Sequence, residues 1–126
     1  MVGIVVVSHS QKLAEGIKDL AALMAPTVPI VAAGGMEDGG FGTDYAKIYE
    51  GIDSIYTDDG VIVLMDLGSA VMTTEMVLEE MTDRKIEMVD CPVVEGAISA
   101  AVASEGEAPI EDVIKAAQTA KNMAKF

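Results

Sequence analysis

The chain is poor in the residues that most often carry chemistry. Of its 126 residues, one is cysteine, one is histidine and none is tryptophan. A single cysteine, Cys91, cannot close an internal disulfide, and one histidine cannot complete a Cys/His zinc set. Basic residues are scarce as well. Eight Lys and Arg face twenty-one Asp and Glu, a formal charge of −13. That balance excludes the broad basic patch on which nucleic-acid affinity rests, and it opposes binding to anionic membrane surfaces. It suits solubility and the steering of a basic protein partner. Apolar residues make up 51% of the chain, but in short runs rather than the ~20 consecutive residues of a membrane span. No basic segment precedes the first apolar run, so no secretory signal is expected and a reducing cytoplasm fits. The length matches one domain with a sizeable core.

What is present is an alternation of two periodicities. Residues 2–7 form a β-branched run without polar alternation, the pattern of a strand buried on both faces. From Gln11, apolar residues at Leu13, Ile17, Leu20, Ala21 and Met24 follow the helix period, and Ala25-Pro26 ends it. A second short run spans residues 28–33 and meets a glycine-rich stretch, residues 34–42. Thr43 is placed to cap a helix with Ile48, Ile52 and Ile55 on its inner face. Residues 61–65, Val-Ile-Val-Leu-Met, are the clearest strand. Asp66-Leu67-Gly68-Ser69 breaks it before a helix running to about Met81. A weaker strand at residues 86–89, a small-residue helix at 94–103 and a last helix opened by Pro109 complete the chain. Strand–helix alternation predicts an α/β fold, a three-layer doubly wound sheet, mainly parallel, in the order 2-1-3-4.

In such sheets, ligands sit beyond the carboxyl ends of the strands where strand order reverses. Here those ends are Ser8-His9-Ser10 and Asp66-Leu67-Gly68-Ser69, with the glycine stretch opening on the same edge. One rim thus collects His9, Asp66, Ser69 and Thr43. Ser8-His9-Ser10-Gln11 matches a capping box, which makes His9 the first helical residue, beside amide groups that favour an anion. A carboxylate accepting from one ring N–H fixes the imidazole tautomer and leaves the other nitrogen free to attack. Asp66 is the candidate for that task, although an Asp after a strand is often only a turn residue. Thr43 and Ser69 are most simply helix caps. The glycine stretch lacks the Lys-Ser/Thr ending of a Walker loop. Cys91, before Pro92, reads as an inert buried thiol. Met65, Met72, Met76, Met81 and Met88 read as core or interface filling.

Three segments in order, GIVVVSHSQKLAEGIKDLAALM, GGMEDGGFGTDYAKI and GVIVLMDLGSAVMTTEMVLEEM, resemble the phosphotransferase (DhaM-type) subunits of dihydroxyacetone kinases driven by the phosphoenolpyruvate-dependent phosphotransferase system. The wider relatives are the enzyme IIA domains of mannose-type sugar transporters. The resemblance covers roughly residues 1–100 and implies one IIA-like phosphotransfer domain over residues 1–126. It makes His9 the phosphorylated nucleophile and Asp66 its hydrogen-bonding partner. Ser10, Gly42, Thr43, Gly68 and Ser69 would line the phosphoryl pocket. It further implies a cytoplasmic homodimer loaded by the histidine-containing phosphocarrier protein. The phosphoryl group would pass to ADP on the nucleotide-binding kinase subunit. No cofactor or metal is expected on this chain itself; ADP/ATP and Mg would belong to the kinase subunit. The chain stops at Phe126, without the phosphocarrier-like and enzyme-I-like domains that follow in some members, so both are expected from separate proteins. No strand is expected after Val89, which distinguishes the chain from mannose-type domains and their added edge strand.

Three rival readings weigh against this one. A response-regulator receiver would use VIVLMD to present Asp66 as phosphoacceptor, but the acidic pair such a site needs after its first strand is here Ser8-His9-Ser10. A flavodoxin-like module would need aromatic residues to sandwich a flavin. The nearest alternative is a IIA component of a mannose-type sugar transporter.

Overall fold

Strand β1 (Gly3–Ser8) lies at the centre of a four-stranded sheet, flanked by β2 (Ile30–Gly34) and β3 (Val61–Met65), with β4 (Ile86–Met88) at the far edge. All pairings are parallel, and the order is β2-β1-β3-β4 as expected. The computed structural model describes all 126 residues. Helices α1 (Gln11–Met24), α2 (Tyr45–Ile55), α3 (Ser69–Glu79), α4 (Val93–Glu105) and α5 (Ile110–Thr119) connect and follow the strands, and a 3₁₀ turn at Ala120–Asn122 closes the fold. No helix is long and apolar enough to cross a membrane.

The absence of polar alternation in β1 and β3 has a direct cause. Successive side chains point to opposite faces, and both faces are covered. Ile4, Val6, Ile62 and Leu64 join Ala14, Ile17, Ala97, Ala101 and Val113 of α1, α4 and α5 in one core. Val5, Val7, Val61 and Val63 join Ile48 and Ile52 of α2 and Ala70 and Val77 of α3 in the other. The small residues of α4 let it lie close to the sheet between α1 and α5. No strand follows Val89, which ends the β4 ladder with a bond to Val63.

Helix starts and faces depart from expectation in several places. The cap of α1 is Ser10, whose hydroxyl accepts from the Leu13 N–H at 3.2 Å, so His9 precedes the helix instead of opening it. The cap of α2 is Asp44, not Thr43: its carboxylate accepts from the Ala46 and Lys47 N–H groups. Ser69 is the first residue of α3, and the N-cap position is Gly68, with no capping side chain. The buried face of α1 is Ala14, Ile17 and Ala21, while Leu13, Leu20 and Met24 are exposed. Alanines take two of the three inner positions, where α1 lies near both β2 and α4. The methionines divide: Met81 is buried, Met65 and Met88 are partly buried, and Met72 and Met76 are exposed.

Leu64→Ala, at a position with no exposure, is expected to lower stability by roughly 2–5 kcal/mol, the cost of a core cavity. Leu23→Ala, on the open side of α1, should change it by less than about 0.5 kcal/mol. Urea unfolding of the two variants checks this difference.

Candidate functional site

The ladder between β1 and β3 ends with Val7 opposite Met65, and the Asp66 N–H extends it to the Val7 carbonyl at 3.1 Å. Ser8-His9 and Asp66 therefore leave adjacent central strands at the same level, where the strand order reverses. The glycine stretch folds back over this edge. The Gly35 N–H donates to the Ser8 carbonyl at 3.0 Å, and the Gly42 N–H donates to the His9 carbonyl at 2.9 Å. Two glycines are required by geometry. A Cβ on Gly34 would stand 2.5 Å from the Ser10 carbonyl oxygen, and Gly42 has φ +143, a conformation L side chains rarely adopt.

Asp66 organises the imidazole. Its Oδ1 lies 3.1 Å from His9 Nδ1, and its Oδ2 accepts from the His9 backbone N–H at 3.1 Å. The Ser8 hydroxyl donates to Oδ2 at 2.9 Å, and the Leu67 N–H donates to Oδ1 at 2.8 Å. An ionised carboxylate only accepts, so Nδ1 carries a proton, and in the neutral ring Nε2 keeps its lone pair. Ser69 Oγ lies 2.8 Å from Nε2 and donates to it in that tautomer. Burial pushes the Asp66 carboxyl up, but the bonds from the His9 backbone, the His9 ring and Ser8 outweigh it and hold the group below its ordinary value. Asp66 is thus an anion at neutral pH, with a side chain 10% exposed against 25% for His9.

Of the predicted pocket residues, Ser69 alone bonds the ring. Gly68 supplies the open N-terminus of α3, where the ring stands. Ser10 caps α1 and sends its N–H to Ser8 Oγ at 3.0 Å. Gly42 holds the His9 backbone and not the ring. Thr43 Oγ1 meets Thr73 Oγ1 at 3.0 Å and ties the end of the glycine stretch to the second turn of α3. Cys91 stands apart, half-buried, its thiol pushed up to about 11 by burial and by the charge of Asp90, which suits an inert role.

Three residues of the site escape sequence reasoning. Ser8 reads as a helix cap after the first strand, yet it is the last residue of β1, fully buried, with its hydroxyl engaged twice. Lys47 carries no motif in the sequence, yet its Nζ bonds the carbonyls of Gly34 at 3.1 Å and Met36 at 3.3 Å and Gln11 Oε1 at 3.3 Å. It pins the glycine stretch against the first turn of α1. Thr73 shows only as the partner of Thr43. A polar residue ending an apolar strand was the one available signal, and it pointed to Ser8.

Two cavities flank the ring without His9 in their walls: one of about 400 Å³ opens along Asp66, Leu67, Val71 and Met88 toward β4, and one of about 220 Å³ lies along Ser10, Gln11, Gly40 and Phe41. The ring faces open surface. Phe41 and Leu67, each adjacent in sequence to a residue that bonds His9, are 86% and 60% exposed. Large apolar side chains exposed beside a reactive group mark a surface that other proteins contact.

Residues 3–114 match the family model described as the PTS system fructose IIA component. A dihydroxyacetone kinase phosphotransferase subunit, DhaM, from Lactococcus lactis is 36% identical over 111 residues, covering 88% of this chain and 89% of that protein. A phosphoryl donor subunit, DhaM, from Escherichia coli is 39% identical over 121 residues, covering 90% of this chain and 26% of that protein. A like-named protein from Providencia stuartii is 38% identical, covering 95% of this chain. The chain thus spans 26% and 27% of the lengths of these last two relatives. A crystal structure of a protein described as of unknown function superposes with a TM-score of 0.82 at 32% identity, covering 94% of both chains. A sigma-54 interaction domain protein from Enterococcus faecalis shares the fold at a TM-score of 0.73 and 17% identity.

Asp66→Asn cannot accept from all four donors and is expected to cost about 1.5–3 kcal/mol at neutral pH. Because the folded-state value is lowered, the stabilisation is complete above the ordinary carboxylate range and is lost as pH falls through the lowered value. The gap between wild type and variant in urea unfolding should therefore be widest at neutral pH and close on acidification.

Proposed function

The chain belongs to the family of PTS system fructose IIA components, as a phosphotransferase subunit of the DhaM type, and from that premise we propose that His9 carries a phosphoryl group between two other proteins. The donor is the histidine-containing phosphocarrier protein. The acceptor is ADP held on the nucleotide-binding subunit of a dihydroxyacetone kinase. The observation that carries this reading is the alignment of Asp66, His9 and Ser69: the carboxylate on Nδ1, a lone pair on Nε2, and a hydroxyl at the N-terminus of α3 next to it.

In the loading step Nε2 attacks phosphorus. A new N–P bond forms, the donor's N–P bond breaks, and its electron pair returns to the donor nitrogen. The proton stays on Nδ1, where Asp66 offsets the positive charge the ring acquires. Ser69 Oγ turns from Nε2 to a phosphoryl oxygen. The α1 and α2 starts are covered by Ser10 and Asp44, whereas α3 has no capping side chain; its Ala70 and Val71 N–H groups go to the Leu67 and Gly68 carbonyls, which leaves the Gly68 and Ser69 N–H groups for the phosphoryl oxygens. Discharge reverses the sequence. An oxygen of the ADP terminal phosphate attacks, the N–P bond breaks, and its electron pair returns to Nε2.

The exposed Phe41 and Leu67 beside the ring support a protein-borne substrate over a free small molecule. On this reading residues 1–126 act as one phosphotransfer unit, working as a cytoplasmic homodimer, and the nucleotide and its metal are held by the kinase subunit.

Label from phosphoenolpyruvate plus the general carrier proteins is expected on the wild-type chain and absent from His9→Ala, with the fold intact by circular dichroism. The label should survive alkali, as phosphohistidine does and an acyl phosphate on Asp66 would not. Asp66→Ala should lower the labelling rate by about tenfold or more without abolishing it. Addition of ADP-loaded kinase subunit should discharge the label, and a sugar-specific IIB protein should not; the reverse outcome assigns the chain to sugar transport.

A further inference from the structure

Ser8 is fully buried at the end of β1, where the preceding residues are Ile and Val. A buried hydroxyl there needs partners, and it has two: it donates to Asp66 Oδ2 and accepts from the Ser10 N–H. Asp66 is therefore crowded with donors. Oδ2 is shared by Ser8 and the His9 backbone, and Oδ1 by the His9 ring and Leu67. Each donor draws on the same anionic charge, so each one weakens the carboxylate as acceptor for the others. The backbone donors are fixed by the fold. The Ser8 hydroxyl is the one contribution supplied by a side chain outside the reacting ring.

We propose that Ser8 is a positioning residue that limits how strongly Asp66 holds the phosphorylated imidazole, and so keeps the phosphoryl group transferable. The proposal rests on the carrier reading of His9. With phosphorus on Nε2 and a proton on Nδ1, the ring is cationic, and a stronger carboxylate stabilises it. During discharge the Nε2–P bond breaks, its electron pair returns to Nε2, the phosphoryl group joins the acceptor oxygen, and the proton remains on Nδ1. A carboxylate relieved of Ser8 would lower the energy of the loaded state more than that of the departing one. Ser8 thus trades stability of the intermediate for ease of onward transfer, while its bond from Ser10 keeps the hydroxyl aimed at Oδ2.

The test uses the whole chain with Ser8→Ala, Ser8→Cys and Ser8→Thr. Each is loaded from phosphoenolpyruvate through the general carrier proteins, freed of donor, and followed for spontaneous hydrolysis and for discharge to the ADP-loaded kinase subunit. Loaded Ser8→Ala is expected to last about three- to tenfold longer than wild type and to discharge more slowly by a similar factor. In the unloaded protein its His9 Nδ1–H proton resonance should move downfield, reporting a stronger bond to Asp66. Ser8→Thr keeps the hydroxyl and should return wild-type values. Ser8→Cys, a weaker donor, should shift both readouts in the direction of Ser8→Ala, and it carries the test should Ser8→Ala not fold. A lifetime unchanged or shortened, or a resonance that stays or moves upfield, overturns the role of Ser8: a mere structural prop would loosen the ring and shorten the lifetime. A wild-type chain that takes no label overturns the carrier reading itself.

Discussion

The Asp66 carboxylate is the constraint on which the site depends. It gathers hydrogen bonds from the end of β1, from the His9 backbone, from the His9 ring and from the turn into α3. An anion at the rim of a sheet would be costly without such partners, and four of them hold it charged and fixed. Because it binds His9 through both main chain and ring, the imidazole cannot rotate without breaking the carboxylate's own satisfaction. The ring's orientation, its tautomer and the direction of its free lone pair all follow from one acidic side chain placed by the register of β1 and β3.

The remainder of the edge stabilises this arrangement from a distance. Lys47 and Gly42 hold the glycine stretch, which in turn grips the His9 carbonyl. Thr43 and Thr73 fasten that stretch to α3, the helix that presents Ser69. The polar groups that surround the ring thus form a chain of contacts from β2 to α3. The two cores beneath are almost entirely aliphatic, which gives the rim a rigid base.

Much of this was legible from residue order. Unbroken β-branched runs located β1 and β3, helix alternation implied the parallel order, and that order placed His9 beside Asp66 before any coordinates. The helix caps were less legible for a plain reason. Ser8 and Ser10, or Thr43 and Asp44, are neighbours with nearly equal capping preference, and only the path of the chain decides between them. In α1 the hydrophobic period locates a stripe but not the clearance beneath it: Ile17 and Ala21 of that stripe are buried, Leu13, Leu20 and Met24 are exposed, and Ala14 completes the inner face. The task of Lys47 is set by groups distant in sequence, the Gly34 and Met36 carbonyls, so no local pattern announces it, and for Ser8 the only local sign is a polar residue at the end of an apolar strand.

The hydroxyl resting on Nε2 has a consequence for how the site resets. Every other group around the imidazole belongs to main chain or to a buried side chain, whereas Ser69 Oγ swings about one torsion at an exposed position. On the proposed carrier role, filling the site asks for the turn of a single rotor, with strands, helices and glycine stretch left as they were. Under that proposal, occupied and vacant forms show a docking protein the same scaffold and differ in the charge the ring carries.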